Sequence, residues 1–171
     1  TPVPQTSVYR FDGTNWSDDS NWVGDVEPST GDIATFDDTS DNSVTIDAEI
    51  SVAGIDINTG YDGTITQSAT TTVGSSHFDM ASSTWVGGTD PIDINGSFTL
   101  SGQADFTSTN NILSIERSLT IATTSTYTHN NGTTTLDGAY TGNTSIDAPG
   151  VSFNRVDIDR EAACINCNIT F

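Results

Sequence analysis

Carboxylates are the main residues in this chain that could do chemistry. The chain holds 19 aspartates and 4 glutamates against 4 arginines and no lysine. Two loops concentrate aspartates, with Asp18 and Asp19 in the first and Asp37, Asp38 and Asp41 in the second. Ca²⁺ takes such hard oxygen ligands, although neither loop has the EF-hand spacing. We therefore expect no cofactor and interpret both loops as solvated turns, with bound calcium as the alternative.

The two cysteines, Cys164 and Cys167, form a C-x-x-C pair near the end of the chain. In a cytosolic protein this spacing fits a redox pair or half of a zinc site. In a secreted protein the two sulfurs more often bridge each other, and we expect a local disulfide that pins a turn. A bond to another subunit is the remaining alternative.

No catalytic set stands out among the ionisable residues. His77 and His129 have no cysteine or nucleophile motif nearby, and His77 aligns with the apolar column that contains Phe98, which predicts a packed or capping side chain. A polysaccharide lyase would need a basic residue, for which Arg117 is the candidate, together with calcium. A glycosidase would need two carboxylates at a fixed separation, and the sequence singles out no pair. We therefore expect that the protein is not an enzyme.

The elements that position these residues repeat with a fixed period of 21. Four columns share this spacing: Val52, Val73, Ile94, Ile115 and Leu136; Trp85, Phe106 and Tyr127; Phe98, Leu119 and Tyr140; Leu100 and Ile121. One period at several offsets is typical of a solenoid, in which stacked coils bury each other's apolar residues. Short alternating stretches such as SFTLSG and TTTLDG, separated by Gly and Asn turns, predict about three strands per coil. A β-sandwich gives no reason for the shared spacing.

The pattern divides the chain into residues 1–43, an extended segment and cap, and residues 44–171, about six coils. The first part carries aromatics that we interpret as the plug of one end, with a carbohydrate-stacking platform as the alternative: Tyr9, Phe11, Trp16, Trp22 and Phe36. Near the other end the first column breaks, because position 157 is Asp. The chain closes on CNITF, an apolar strand that predicts an uncapped sheet edge.

One segment resembles a recurring type of bacterial surface protein. The resemblance begins at NWSDDSNWVGDVEPSTGDIATFD (residues 15–37) and continues through VTID and VAGIDINTGYDGTITQS. Secreted autotransporter-like and adhesin-like proteins share this Trp-rich start followed by coils rich in Thr and Gly. The resemblance implies a right-handed parallel β-helix at the cell surface, and it brings no catalytic residues with it.

The charge of the chain argues against two classes of binding partner. A net charge of −19 argues against nucleic acid and against anionic membrane surfaces. No segment has the length and hydrophobicity of a membrane span, so membrane insertion is not expected. The scarcity of lysine and the 49 Ser and Thr residues favour a secreted, extracellular or cell-surface protein.

These observations predict a structural protein, either a self-assembling filament subunit or a coil-stack segment of an adhesin. We expect a homo-oligomer in which the start of one chain adds a strand to the uncapped end of the next, head to tail. The residues predicted to form this contact are Thr1, Pro2, Val3, Pro4, Val8, Tyr9, Phe11, Ile169 and Phe171. The alternatives are a module that binds glycans or a host surface through aromatics such as Trp85, and a lyase.

Overall fold

The chain folds as a parallel β-solenoid of about six turns. The structure is a computed structural model, and it describes residues 5–9, 13–138, 144–159 and 169–170, with only the backbone at Gln5, Thr144, Ile169 and Thr170. The described residues form 19 strands, and every strand-to-strand ladder among them is parallel. The all-β solenoid predicted from the sequence period is therefore confirmed.

Each full coil contributes one strand to each of three sheets. The eight-stranded sheet consists, in spatial order, of β1 (Gln5–Val8), β2 (Asp32–Phe36), β5 (Gly54–Ile57), β8 (His77–Met80), β11 (Ser97–Leu100), β14 (Leu119–Ile121), β17 (Thr144–Asp147) and β19 (Ile169–Thr170). The six-stranded sheet consists of β4 (Ile50–Val52), β7 (Thr71–Val73), β10 (Ile92–Ile94), β13 (Ile112–Ile115), β16 (Thr133–Asp137) and β18 (Arg155–Asp159). The five-stranded sheet consists of β3 (Val44–Ile46), β6 (Thr64–Gln67), β9 (Thr84–Val86), β12 (Asp105–Thr107) and β15 (Thr126–Thr128).

The six-stranded sheet follows the predicted period without interruption from β4 to β16. Its ladders pair the residues of the first column in turn: Val52 with Val73, Val73 with Ile94, Ile94 with Ile115, and Ile115 with Leu136. The aromatic column is confirmed in the five-stranded sheet, where Phe106 pairs with both Trp85 and Tyr127. Alternate residues of these strands point inward, so the columns form the core between the sheets.

The eight-stranded sheet departs from the strict period, because its turns differ in length. Phe98 pairs with Phe78, and Ser97 pairs with His77, so this step is one residue shorter than the period. The prediction that His77 belongs to the Phe98 column is therefore wrong, because the shorter coil moves His77 to the outer face. The third column also ends early, since Leu119 pairs with Ile146. Tyr140, the predicted partner, lies outside the described residues.

A step one residue longer than the period explains the break at Asp157. Leu136 pairs with Ile158, and Asp157 pairs with the outward-facing Thr135. The predicted strand thus persists with a shifted register, and the apolar residue returns to the inward column one position later. The shorter and longer steps show that turns absorb single-residue changes while the strands keep their alternation.

The core runs along the axis of the stack and begins in an aromatic cluster. Tyr9, Trp16, Trp22 and Phe36 are buried together, with ring centroids 4.8–5.9 Å apart for the pairs in contact. Farther along, Phe78, Trp85, Phe98 and Phe106 form a second buried aromatic group.

Candidate functional site

The last described coil exposes residues that belong to the core. Inward-facing Thr134 and Leu136 of β16 are 4% and 2% exposed. Their partners one rung farther, Val156 and Ile158 of β18, are 41% and 50% exposed. Both pairs occupy equivalent positions, but within the described part of the chain no strand of this sheet lies beyond β18. Within the described residues, the last strand of this sheet therefore carries two exposed apolar side chains.

A cleft of about 470 Å³ opens beside these two side chains. Its lining is mostly apolar: Leu119, Leu136, Ile146, Phe153, Val156 and Ile158. The ring of Phe153 lies 5.3 Å from that of Tyr127, so the cleft is continuous with the aromatic column of the five-stranded sheet. Burial raises the pKa of Tyr127, which keeps its hydroxyl neutral in this surrounding. Such a surface suits another layer of apolar side chains better than a polar ligand.

The other end of the stack is closed by the aromatic cluster. The indole Nε1 of Trp22 donates a hydrogen bond to the Trp16 carbonyl at 2.9 Å, and the Tyr9 hydroxyl donates to the Gly13 carbonyl at 2.8 Å. Burial raises the pKa of Tyr9 to about 12. The predicted aromatic plug is therefore present at Tyr9, Trp16, Trp22 and Phe36, whereas Phe11 lies outside the described residues.

A smaller apolar patch lies outside this plug. Val23 and Val26 are 58% and 63% exposed, and with Thr6 and Ser7 of β1 they line a shallow cleft. The Val23 N–H donates to the Val8 carbonyl at 2.8 Å, which covers one end of the outer edge of β1. Both ends of the solenoid thus carry exposed valine or isoleucine side chains.

The predicted contact residues fall at the two edges of one sheet where the structure describes them. Val8 belongs to β1 and Ile169 to β19, and these strands are the first and last of the eight-stranded sheet. Tyr9 is buried in the aromatic cluster, so its side chain faces the core. Thr1, Pro2, Val3, Pro4, Phe11 and Phe171 lie outside the described residues, as do Cys164 and Cys167.

The aspartate loops hold their own backbone in turns. Asp37 Oδ1 accepts hydrogen bonds from the N–H and the hydroxyl of Thr39, and Asp18 Oδ1 accepts the same pair from Ser20. Asp19 Oδ1 accepts from the Glu27 N–H at 2.9 Å. These hydrogen bonds give Asp18, Asp19 and Asp37 a structural role in the two loops.

The residues considered for other functions lie elsewhere. Trp85 is fully buried, so its ring is not available for stacking on a sugar. Arg117 is half-buried in the turn after β13, beside Glu116. Sequence reasoning missed the grouping of Asp56, His77 and Asp79 on the outer face of the eight-stranded sheet, because it placed His77 in the core.

The chain has no match among protein-family models, curated proteins or solved structures. Within the described ranges, no helix has both the length and the apolar character needed to cross a membrane.

Proposed function

We propose that this chain is a structural protein of the cell exterior whose coil stack is extended end to end. In a surface filament the extension is another copy of the chain, and in an adhesin it is further coils. The observation that carries the proposal is the exposure of Val156 and Ile158 at positions that are buried in every earlier coil of the six-stranded sheet.

The energetic argument rests on these two side chains. Fully burying a valine or isoleucine stabilises by about 1.5–3 kcal/mol relative to leaving it exposed. Covering Val156 and Ile158 would also bury the cleft around Phe153. The N-terminal end of a second copy offers Val23 and Val26 as apolar partners.

The backbone supports a head-to-tail arrangement. A parallel sheet edge has unpaired N–H and C=O groups that can accept a further strand. Since β19 and β1 are the edges of the same sheet, placing β1 of one copy beside β19 of the next would extend that sheet in the same direction. A contact between two different surfaces of the same chain does not close on itself, so it propagates as a fibre.

The bacterial cell-surface location rests on the sequence. The Trp-rich start and the Thr- and Gly-rich coils resemble adhesin-like secreted proteins, and the net charge of −19 suits a salt-containing exterior that screens self-repulsion.

A matched pair of double variants tests the interface. Val156→Asp with Ile158→Asp places two charges on the open end. Val86→Asp with Ile112→Asp makes the same change at side chains that are 39% and 46% exposed on the flanks of the stack. Sedimentation velocity over a range of concentrations should show assembly of the unaltered chain and of the flank variant, and a monomer for the end variant.

Two results would count against the proposal. A monomer for the unaltered chain at every concentration contradicts the filament. If the Val156→Asp, Ile158→Asp chain assembles as well as the Val86→Asp, Ile112→Asp chain, Val156 and Ile158 do not form the contact between copies.

A further inference from the structure

Three potential metal ligands meet on the outer face of the eight-stranded sheet. Asp56 of β5 and Asp79 of β8 are direct partners in the ladder. His77 precedes Asp79 by two residues, so its side chain projects from the same face. The ligand atoms of the three side chains all lie within 4.8 Å of one another.

Two carboxylates face each other across the neighbouring strands, with an imidazole beside them. Like charges directly opposite on neighbouring strands destabilise a sheet. The His77 imidazole contacts one of the carboxylates, with Nε2 2.5 Å from Asp56 Oδ1. Asp56 and His77 are half-buried, which excludes part of the water that would otherwise solvate them.

Gly54 lies next to this grouping in the sheet. Gly54 stands beside His77 in the register, since the next residues, Ile55 and Phe78, are partners. A Cβ on Gly54 would lie 3.2 Å from the His77 carbonyl oxygen and 3.2 Å from Ser76 Cβ. A side chain at this position would therefore crowd the backbone of the strand that carries His77.

We propose that Asp56, His77 and Asp79 bind one divalent cation of the Zn²⁺ class and so join two neighbouring coils. An imidazole with two carboxylates suits Zn²⁺ and similar first-row cations, whereas Ca²⁺ and Mg²⁺ prefer oxygen ligands alone. Zn²⁺ takes nitrogen and oxygen ligands at about 2.0–2.2 Å in a tetrahedral arrangement, so its ligand atoms lie about 3.3–3.6 Å apart. Side-chain rotations would bring the three atoms to that spacing by moving Nε2 and Asp56 Oδ1 apart by about 1 Å and the most widely separated atoms together by up to about 1.5 Å.

Binding replaces a proton by the metal. When His77 is protonated, the Nε2 proton lies between the imidazole and Asp56, and coordination releases it to solvent as Nε2 and the carboxylates become ligands. Water completes the coordination sphere, as it does in other sites with three protein ligands. The site is separate from the ends of the stack, so this proposal does not depend on the proposed function.

Titration of the full-length, untagged chain with Zn²⁺ tests the site. The background carries Cys164→Ser and Cys167→Ser, because thiols also bind Zn²⁺. The test variants are His77→Gln and Asp79→Asn, and the matched control is His129→Gln, which alters the second histidine of the chain. Calorimetry gives the stoichiometry, and the imidazole NMR resonances of the unaltered background show which histidine the metal contacts.

We expect one Zn²⁺ per chain, a selective shift of the His77 resonances, and binding that survives an excess of Ca²⁺. Affinity should fall by at least about 10-fold in His77→Gln and Asp79→Asn and stay unchanged in His129→Gln. Binding with no shift at His77, or equal affinity in His77→Gln and His129→Gln, would overturn the proposal. Weak binding of many ions that Ca²⁺ displaces would overturn it too, since that result reflects only the acidic surface. The resonance shift is measured on the background chain alone, so it tests the proposal even if the His77→Gln or Asp79→Asn chain fails to fold.

Discussion

Trp85 is the first residue of the buried aromatic column, and its removal should strongly destabilise the fold. The side chain is fully buried, stacked on Phe106 at 5.7 Å between centroids and packed edge-on against Phe78 at 5.2 Å. Truncating a buried Trp to Ala costs about 3–5 kcal/mol. Because both neighbouring rings would then face a cavity, we expect Trp85→Ala to reduce the free energy of unfolding by about 4 kcal/mol.

The conservative change Trp85→Phe should behave very differently. The smaller ring buries less apolar surface, which costs about 1 kcal/mol of stability. Trp85 Nε1, however, is buried with no hydrogen-bond partner among the described residues. Removing a buried unpaired donor recovers about 1–3 kcal/mol. The two effects offset each other, so Trp85→Phe should change the free energy of unfolding by less than about 1 kcal/mol.

Trp22→Phe is the matched control. It loses the same area, but Trp22 Nε1 donates to the Trp16 carbonyl, so the change also removes a buried hydrogen bond. We expect a cost of about 2–4 kcal/mol. Urea denaturation followed by far-ultraviolet circular dichroism gives the three values by linear extrapolation. The reasoning is refuted if Trp85→Phe is as destabilising as Trp22→Phe, or if Trp85→Ala costs less than about 1 kcal/mol.

Three further predictions follow from burial, close backbone contact and charge. Burial raises the pKa of Tyr9 from 10 to about 12, so the contribution of Tyr9 to stability is complete below pH 10 and is lost as the pH rises towards 12. The unfolding temperature should fall less steeply with rising pH in Tyr9→Phe than in the unaltered chain. Equal slopes of unfolding temperature against pH would contradict this. Gly87→Ala should destabilise by more than about 1 kcal/mol, because the added Cβ would overlap the Ser108 carbonyl of the next coil. Gly31→Ala, with open space at its Cβ, is the control in the same denaturation assay, and equal stability of the two variants would refute the overlap. End-to-end assembly should strengthen with added NaCl, because salt screens the net charge of −19, and sedimentation that shows assembly weakening with salt would indicate contacts between charged groups instead.

The period of the sequence predicts the fold because strand residues alternate while the coils repeat. The column from Val52 to Leu136 shows this most clearly, since every step in it is a ladder pair. The aromatic plug is also predictable, because Tyr9, Trp16, Trp22 and Phe36 are large side chains outside the repeat that need burial.

Turn lengths limit the rest of the prediction. When Ser, Thr and Gly surround the strands, a coil that is one residue shorter cannot be told from a strict repeat in the sequence. For this reason the period of 21 wrongly predicts that His77 belongs to the core column. The grouping of His77 with Asp56 and Asp79 depends on the step from β5 to β8, which is two residues longer than the period, so only the register of these strands reveals it. The prediction that CNITF forms an uncapped apolar end stays a prediction, because the structure describes only the backbone of Ile169 and Thr170 there. The exposure of Val156 and Ile158 could not be predicted, because it depends on β18 being the last described strand of the six-stranded sheet.

Electron microscopy of the unaltered protein tests the central claim of end-to-end stacking most directly. Eight strands of one sheet at about 4.8 Å each give an axial length of about 38 Å per subunit. We predict unbranched fibres one subunit wide, with an axial repeat of about 38 Å, that disappear in the Val156→Asp, Ile158→Asp variant. Dispersed particles at high protein and salt concentration, or fibres with an unrelated repeat, would contradict it.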